Sequence, residues 1–271
     1  MPELPEVETT LRGIQPHILN NEIEKIEVRQ PHLRWPVPTE EIIKCLEGNY
    51  FSKINRRAKY LILSSLNGSL LIHLGMSGCL RIFPEFIEPE KHDHVDVIFK
   101  DGKILRFTDP RRFGSFLWSK DPDQHPLLKN LGPEPLGNSF SGEYLFEHSR
   151  RRKVAIKNFI MNAKVVVGIG NIYASESLFL AGIRPQRKSN KTTLVQFELL
   201  ASSIKTLLQK SIDKGGTTLR NFVGGSNKPG YFKQHLMVYG RKDKKCKSCS
   251  AHLKELKLGQ RSSVYCPQCQ I

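Results

Sequence analysis

Apolar positions recur at three- and four-residue intervals near the start of the chain. Val7, Leu11, Ile14 and Ile18 share one face over residues 5–20, the pattern of an amphipathic helix. Pro16 falls inside that span and predicts a kink or an early end. The pattern then changes to alternation. Residues 24–29 alternate, residues 60–75 hold two apolar runs around Asn67-Gly68, and residues 95–108 hold two more around Asp101-Gly102. Asn-Gly and Asp-Gly tolerate positive φ at both central turn positions, so each predicts a β-hairpin. The expectation is an antiparallel sandwich or barrel with the first helix packed on it.

Residues 131–142 are rich in proline and glycine and read as an interdomain linker. Beyond them the helical period returns over 143–151, 154–162, 172–181 and 194–212, with Gly182 and Gly215-Gly216 placed as helix stops. The chain is therefore expected to be α+β and multidomain. Residues 1–130 would form the N-terminal β-domain, 143–232 a helical domain, and 233–271 a terminal module. Residues 215–232 make a long Gly/Ser/Thr loop with aromatics, read as a mobile lid able to cover a base.

Composition narrows the partner. Among 271 residues, 42 Lys and Arg against 26 Asp and Glu leave a formal net charge of +16. Such an excess calls for an acidic polymer, most simply nucleic acid. A membrane surface is the competitor, but no long apolar run, leader or lipidation motif supports it. The expected location is the cytoplasm, at the nucleoid if the source is bacterial. Cys45 and Cys79 stand alone, while Cys246-x2-Cys249 and Cys266-x2-Cys269 are separated by sixteen residues. Two such pairs joined by a short hairpin give a tetrahedral Zn²⁺ site. Four protein ligands leave no open position, so the one zinc is expected to be structural. Lys254, Lys257 and Arg261 make the hairpin basic, suited to a phosphate backbone.

The chain begins Met-Pro-Glu-Leu-Pro-Glu. Pro2 permits removal of Met1, which would leave a secondary amine. An α-amino group titrates near ~8, so part of it is neutral and nucleophilic at neutral pH. Glu3 and Glu6 beside it can move protons and position a substrate. The plainer reading of these six residues is a blunted terminus and acids favoured at a helix start.

Other clusters lie at strand and helix ends. The run 55–60 is basic. His73 to Gly78 places Met76 in a glycine turn, and Asp109 to Gly114 puts Phe113 behind Arg111 and Arg112. An exposed Phe among arginines reads as a wedge into a base stack. His92-Asp93-His94 lacks a third ligand and suits phosphate contact or plain solvation. Gly168-Ile169-Gly170 resembles a dinucleotide fingerprint, but the third glycine position is Tyr173 and no βαβ unit surrounds it. It is better read as a turn before a helix N-terminus that can hold a phosphate, with Asn171 as its cap or as a donor. Lys153 and Lys157, four apart on one expected helix face, could track a DNA strand.

Taken together, these motifs resemble the bacterial formamidopyrimidine-DNA glycosylase family, in order and over nearly the whole chain. The resemblance implies an N-terminal β-sandwich, a helix–two-turns–helix domain and a zinc finger. It implies excision of oxidised purines from damaged double-stranded DNA, then β,δ-elimination, by a monomer using neither a small-molecule cofactor nor a catalytic metal. By position, Pro2 is similar to the family's Schiff-base amine and Glu3 to its proton donor. Glu6 and Glu176 match supporting acids. Lys59 is associated with β-elimination and Arg261 with δ-elimination. His92, Arg111 and Lys153 fall on DNA-contacting positions. Lys59, His73, Asn171, Tyr239 and Arg261 fall on phosphate-pinching ones. Met76, Arg111 and Phe113 match the trio that fills the gap left by an extruded base. The segment 158–163 departs from the family's usual pattern. The rival readings are an endonuclease VIII-type enzyme for oxidised pyrimidines and a non-enzymatic zinc-finger DNA binder.

Overall fold

A computed structural model describes residues 2–216 and 235–271. The lid expectation for 215–232 falls almost wholly outside the described residues. In chain order the elements are α1 (Leu4–Ile18), β1 (Ile23–Val28), α2 (Thr39–Leu46), β2 (Lys53–Arg57), β3 (Tyr60–Ser65), β4 (Gly68–His73), β5 (Cys79–Phe83), β6 (Asp93–Phe99), β7 (Ile104–Thr108) and β8 (Ser115–Ser119). There follow α3 (Gly142–Ser149), α4 (Ile156–Ile160), α5 (Asn171–Leu180), a 3-10 turn (Ser189–Lys191), α6 (Leu194–Asp213), β9 (Lys254–Leu258) and β10 (Arg261–Tyr265). They divide into two units, one ending at Lys129 and regaining Lys214, the other beginning at Asn130 and holding the C-terminus. Among the described residues, no helix is long and apolar enough to cross a membrane.

The first unit is a sandwich rather than a closed barrel. One antiparallel sheet runs β1-β6-β7-β5 and the other β2-β3-β4-β8. Alternate side chains of both sheets meet in one core with Val7, Leu11, Ile14 and Ile18 of α1. Ile14 and Ile18 are fully buried, a gain of about 2 kcal/mol each. Pro16 does not end α1, which runs on to Ile18.

The hairpins form, but one expected turn is displaced. Ser65 pairs with Gly68, so Leu66-Asn67 make the loop. Gly68 is required by packing: a Cβ there would lie 2.8 Å from Trp118 and from the Ser119 carbonyl. At the second hairpin the Gly102 amide donates to the Phe99 carbonyl at 2.9 Å, and Gly102 has φ +82°. That glycine serves turn geometry. The pattern did not predict α2, whose buried positions are only Ile42 and Leu46.

His92-Asp93-His94 is not a solvated tripeptide. Asp93 and His94 are buried. The Arg106 guanidinium, itself 1% exposed, bonds both Asp96 oxygens at 2.9 and 2.8 Å and Asp93 at 3.3 Å. Arg29 adds a second cation, 2.8 Å from Asp96.

The second unit packs α3, α5 and α6 around Phe159, Phe197, Tyr173 and Leu200. The Pro/Gly-rich stretch is bonded into it. Gly132 donates to the Ala163 carbonyl, Val167 donates to that of Pro133, and Phe140 is fully buried. A smaller cluster of Phe179, Val238, Leu253 and Val264 underlies the β9–β10 hairpin.

Removing Arg106 leaves buried carboxylates with too few donors. Arg106→Met is expected to cost about 3 kcal/mol or more. Urea unfolding of the variant beside Arg106→Met/Asp96→Leu checks this, because the double variant should recover part of the loss.

Candidate active site and nucleic-acid interface

Within the first unit, the start of α1 is built to hold Pro2 still. Pro2 is buried, and Glu3 and Glu6 are 1% and 2% exposed. Glu3 is the N-cap residue with extended backbone, and Pro5 occupies the first turn, where its missing N–H costs nothing. Glu6 Oε2 accepts from the Glu3 amide at 2.9 Å as part of a capping box. That amide belongs to the peptide joining Pro2 to Glu3, so Glu6 fixes the plane carrying Pro2. A Cβ on Gly216 would lie 3.1 Å from Glu6 Oε1, so a bare backbone closes over this carboxylate.

Lys59 sits in the two-residue turn between β2 and β3, after Ala58 with φ +55°. Tyr60 pairs with His73 across β3–β4, their rings 4.7 Å apart. His73 Nδ1 accepts from the Gly75 amide at 2.9 Å, so its proton sits on Nε2. Burial, then the nearby positive charges of Lys59 and Arg34, pull its pKa down to about 4. His73 is therefore a neutral donor with a fixed tautomer, not a cation.

The two wedge loops are one structure. Asp109 is fully buried. Its Oδ1 accepts from the Ser77 hydroxyl at 2.6 Å and the Arg111 amide at 3.3 Å, and its Oδ2 from the Gly114 amide at 2.8 Å. A Cβ on Gly75 would come within 2.5 Å of Phe113 and Gly114 backbone, so only glycine lets the loops touch. Out of this locked base project Met76 (42% exposed) and Phe113 (46%). The Arg111 guanidinium lies 4.8 Å from the Phe113 ring centre. Arg34, His73, Gly75, Met76 and Phe113 line a recess of about 400 Å³. His92 is half-buried beside this region, and its carbonyl accepts from the Asp109 amide at 3.0 Å.

In the second unit, residues 165–170 form turns rather than a strand. The N-cap of α5 is Gly170, so Asn171 is its first helical residue and not its cap. Asn171 Oδ1 is buried and has no hydrogen-bond partner among the described residues. Glu176 is buried and accepts from the amides of Met237, Val238 and Tyr239 at 2.7, 2.9 and 2.7 Å. Burial raises its pKa against the pull of those three donors. Its visible work is to fix the backbone that carries Tyr239.

Lys157 overturns its expectation. It is 0% exposed, and its Nζ donates to the Ser262 carbonyl at 3.0 Å and the Ser263 hydroxyl at 2.7 Å. Burial puts its ammonium out of reach of a DNA strand; it fastens α4 to the hairpin. Lys153 is exposed but precedes α4, so the two lysines do not share a helix face. Asn158, in the segment that departs from the family pattern, lies against the hairpin turn, 3.1 Å from where a Gly259 Cβ would sit.

Gly259 and Gln260 both have positive φ and make a tight turn, after which exposed Arg261 opens β10. The sulfurs of Cys246, Cys249, Cys266 and Cys269 lie within 4.8 Å of one another, two pairs being 3.9 and 3.4 Å apart. Sulfurs at the corners of a zinc tetrahedron stand about 3.8 Å apart, so the four fit one ion and hold one structural Zn²⁺.

Sequence reasoning missed the roles of Ser77 and Asp109. Asp-Pro at a strand end was a usable signal, because an Asp side chain readily accepts from amides a few residues on. For His73 the neutral form is favoured on folding. Its contribution to stability is full above pH 6.5 and is lost as pH falls from 6.5 toward 4. His73→Gln should flatten that part of the pH dependence, as read by denaturant melts at pH 7.5 and pH 5.

Comparison with known proteins agrees with this architecture. Residues 1–116 match the formamidopyrimidine-DNA glycosylase N-terminal domain, 131–223 its H2TH domain, and 243–271 the zinc finger found in FPG and IleRS. The formamidopyrimidine-DNA glycosylase of Cellvibrio japonicus is 55% identical, and that of Stutzerimonas stutzeri 52%, each over 100% of both chains. The crystal structure of the MutM (Fpg) protein from Thermus thermophilus superposes with a TM-score of 0.89 at 31% identity, over 99% of this chain and 98% of that one. Wild-type Lactococcus lactis Fpg, in complex with an N7-benzyl-Fapy-dG-containing DNA, does so with 0.91 at 34%, over 99% of each. With its three domain types in order and relatives matching end to end, the chain belongs to the formamidopyrimidine-DNA glycosylase family.

Proposed function

We propose that this chain removes oxidised purines, chiefly 8-oxoguanine and formamidopyrimidines, from duplex DNA and then cuts the strand as an AP lyase. The observation that carries the reading is the immobilised Pro2–Glu3 start of α1, in the same unit as the paired Met76 and Phe113 wedge. Family membership supports it, as does a relative's complex with an N7-benzyl-Fapy-dG-containing DNA.

The target carbon is unreachable in a stacked duplex, so the damaged nucleotide leaves the helix at a cost of a few kcal/mol. Met76 and Phe113 fill the gap and offset part of that cost, while Arg111 faces the orphaned base. With Met1 removed, the Pro2 nitrogen attacks C1′. The C1′–base bond breaks, its electron pair leaves with the base, and the base takes up a proton. Glu3 protonates the ring oxygen, the sugar opens, and C1′ and nitrogen form an iminium. That electron sink makes a C2′ proton acidic. Loss of this proton expels the 3′ phosphate, and a second elimination expels the 5′ phosphate. Lys59 serves the first elimination and Arg261 the second. Glu6 positions Pro2, and Glu176 positions Tyr239. His73, Asn171, Tyr239, His92 and Lys153 hold the backbone. The zinc shapes the hairpin and takes no part in bond breaking. The enzyme acts as a monomer at the chromosome.

Borohydride trapping on a duplex carrying 8-oxoguanine opposite cytosine, followed by mass spectrometry of the adduct, tests the assignment. The expected adduct is on Pro2; an adduct on a lysine, or none, refutes it. Faster cutting at thymine glycol would move the specificity to oxidised pyrimidines. Pro2→Gly should bind lesion DNA normally but lose more than about 100-fold in single-turnover rate. Stripping zinc, verified by elemental analysis, should weaken DNA binding about tenfold or more in fluorescence anisotropy, because the thiolates organise the hairpin that presents Arg261.

A further inference from the structure

Arg34 lies outside every role assigned above. It sits in a short loop closed by the bridge between His32 and Pro36 and by the Val37 amide donating to the Pro31 carbonyl at 2.8 Å. Prolines at 31, 36 and 38 stiffen this loop. Its side chain is exposed and has no carboxylate partner among the described residues. Next to it Trp35 is 44% exposed.

Two observations tie Arg34 to the wedge. Its amide donates to the Gly114 carbonyl at 3.1 Å, which fixes the loop to the residue after Phe113. Its side chain lines the same 400 Å³ recess as His73, Met76 and Phe113. The recess is thus lined by apolar Met76 and Phe113, by the neutral His73 ring and by one cation, Arg34. A thioether and a ring suit the flat faces of a base or sugar, and a guanidinium forks onto phosphate oxygens. A lone exposed arginine is commonly only solvated. Here the backbone tether holds its base in place, so less entropy is lost when a phosphate is gripped.

We propose that Arg34 is a further DNA-contacting residue, its guanidinium binding a backbone phosphate beside the gap that Met76 and Phe113 fill. This rests on the reading of the protein as a lesion-processing DNA enzyme. Because the tether runs through the main chain, it persists whatever the side chain, and substitution removes the phosphate contact alone.

The test uses the zinc-loaded full chain and a duplex bearing a stable abasic-site analogue, with affinity measured from 50 to 300 mM KCl. Arg34→Gln should bind about tenfold more weakly at the low-salt end and flatten the slope of log K against log salt by about 0.9, one phosphate's worth of counterion release. Arg34→Lys should restore the slope, because it restores the charge, and should regain only part of the affinity, because it lacks the fork. An unchanged slope in Arg34→Gln, or a slope that stays flat in Arg34→Lys, would overturn the proposal. Thermal melts within a degree or so of the parent exclude misfolding of either variant. If the parent protein failed to excise 8-oxoguanine, the functional reading would fall instead, and the two failures are told apart by that single activity assay.

Discussion

The Asp109 carboxylate is the constraint on which the exposed Met76 and Phe113 face of the first unit depends. It is fully buried and takes three donors, from Ser77, Arg111 and Gly114. A buried anion is tolerated only when satisfied in this way, and satisfying it joins two loops that lie some thirty residues apart in sequence. The exposed Met76 and Phe113 can then be apolar and still hold position. The wedge proposed for these two side chains would gain nothing if it folded back onto its own surface. Here the stiffness lies beneath the wedge, in the carboxylate and in the absent Cβ of Gly75.

The same device recurs in both units. Glu176 gathers three consecutive amides and so aims Tyr239. Glu6 takes the amide that follows Pro2. In a chain with a +16 excess of positive charge, these three buried acids are fixtures for the backbone, while cations such as Arg34, Arg111, Lys153 and Arg261 stand outside. His73 fits neither class. Held neutral, it offers the same donor throughout the physiological pH range.

What was legible in the chain followed from range. The zinc site, the hairpins and the first helix are written in spacings of a few residues, where period and turn chemistry act directly. The turn at 66–67 sits one residue before its expected place because Gly68 answers to Trp118 in another strand, which no local rule contains. The α2 helix escapes the pattern because its eight residues bury only two side chains. Lys157 defies its pattern because a lysine is ordinarily solvated, and its acceptors lie more than a hundred residues away. Asp109 and Ser77 are visible as residues but not as partners.

That buried lysine has a consequence for the metal. The hairpin oxygens that receive the Lys157 ammonium are those of Ser262 and Ser263, a few residues before Cys266. When the thiolates lose their ion and the ribbon loosens, the buried ammonium gives up these two hydrogen bonds. Each lost bond weakens the solvation of a charge held out of water, and that cost falls on α4 as well as on the ribbon. Metal occupancy is thereby felt by a helix that carries no cysteine, and the helical core has a stake in the ribbon staying closed.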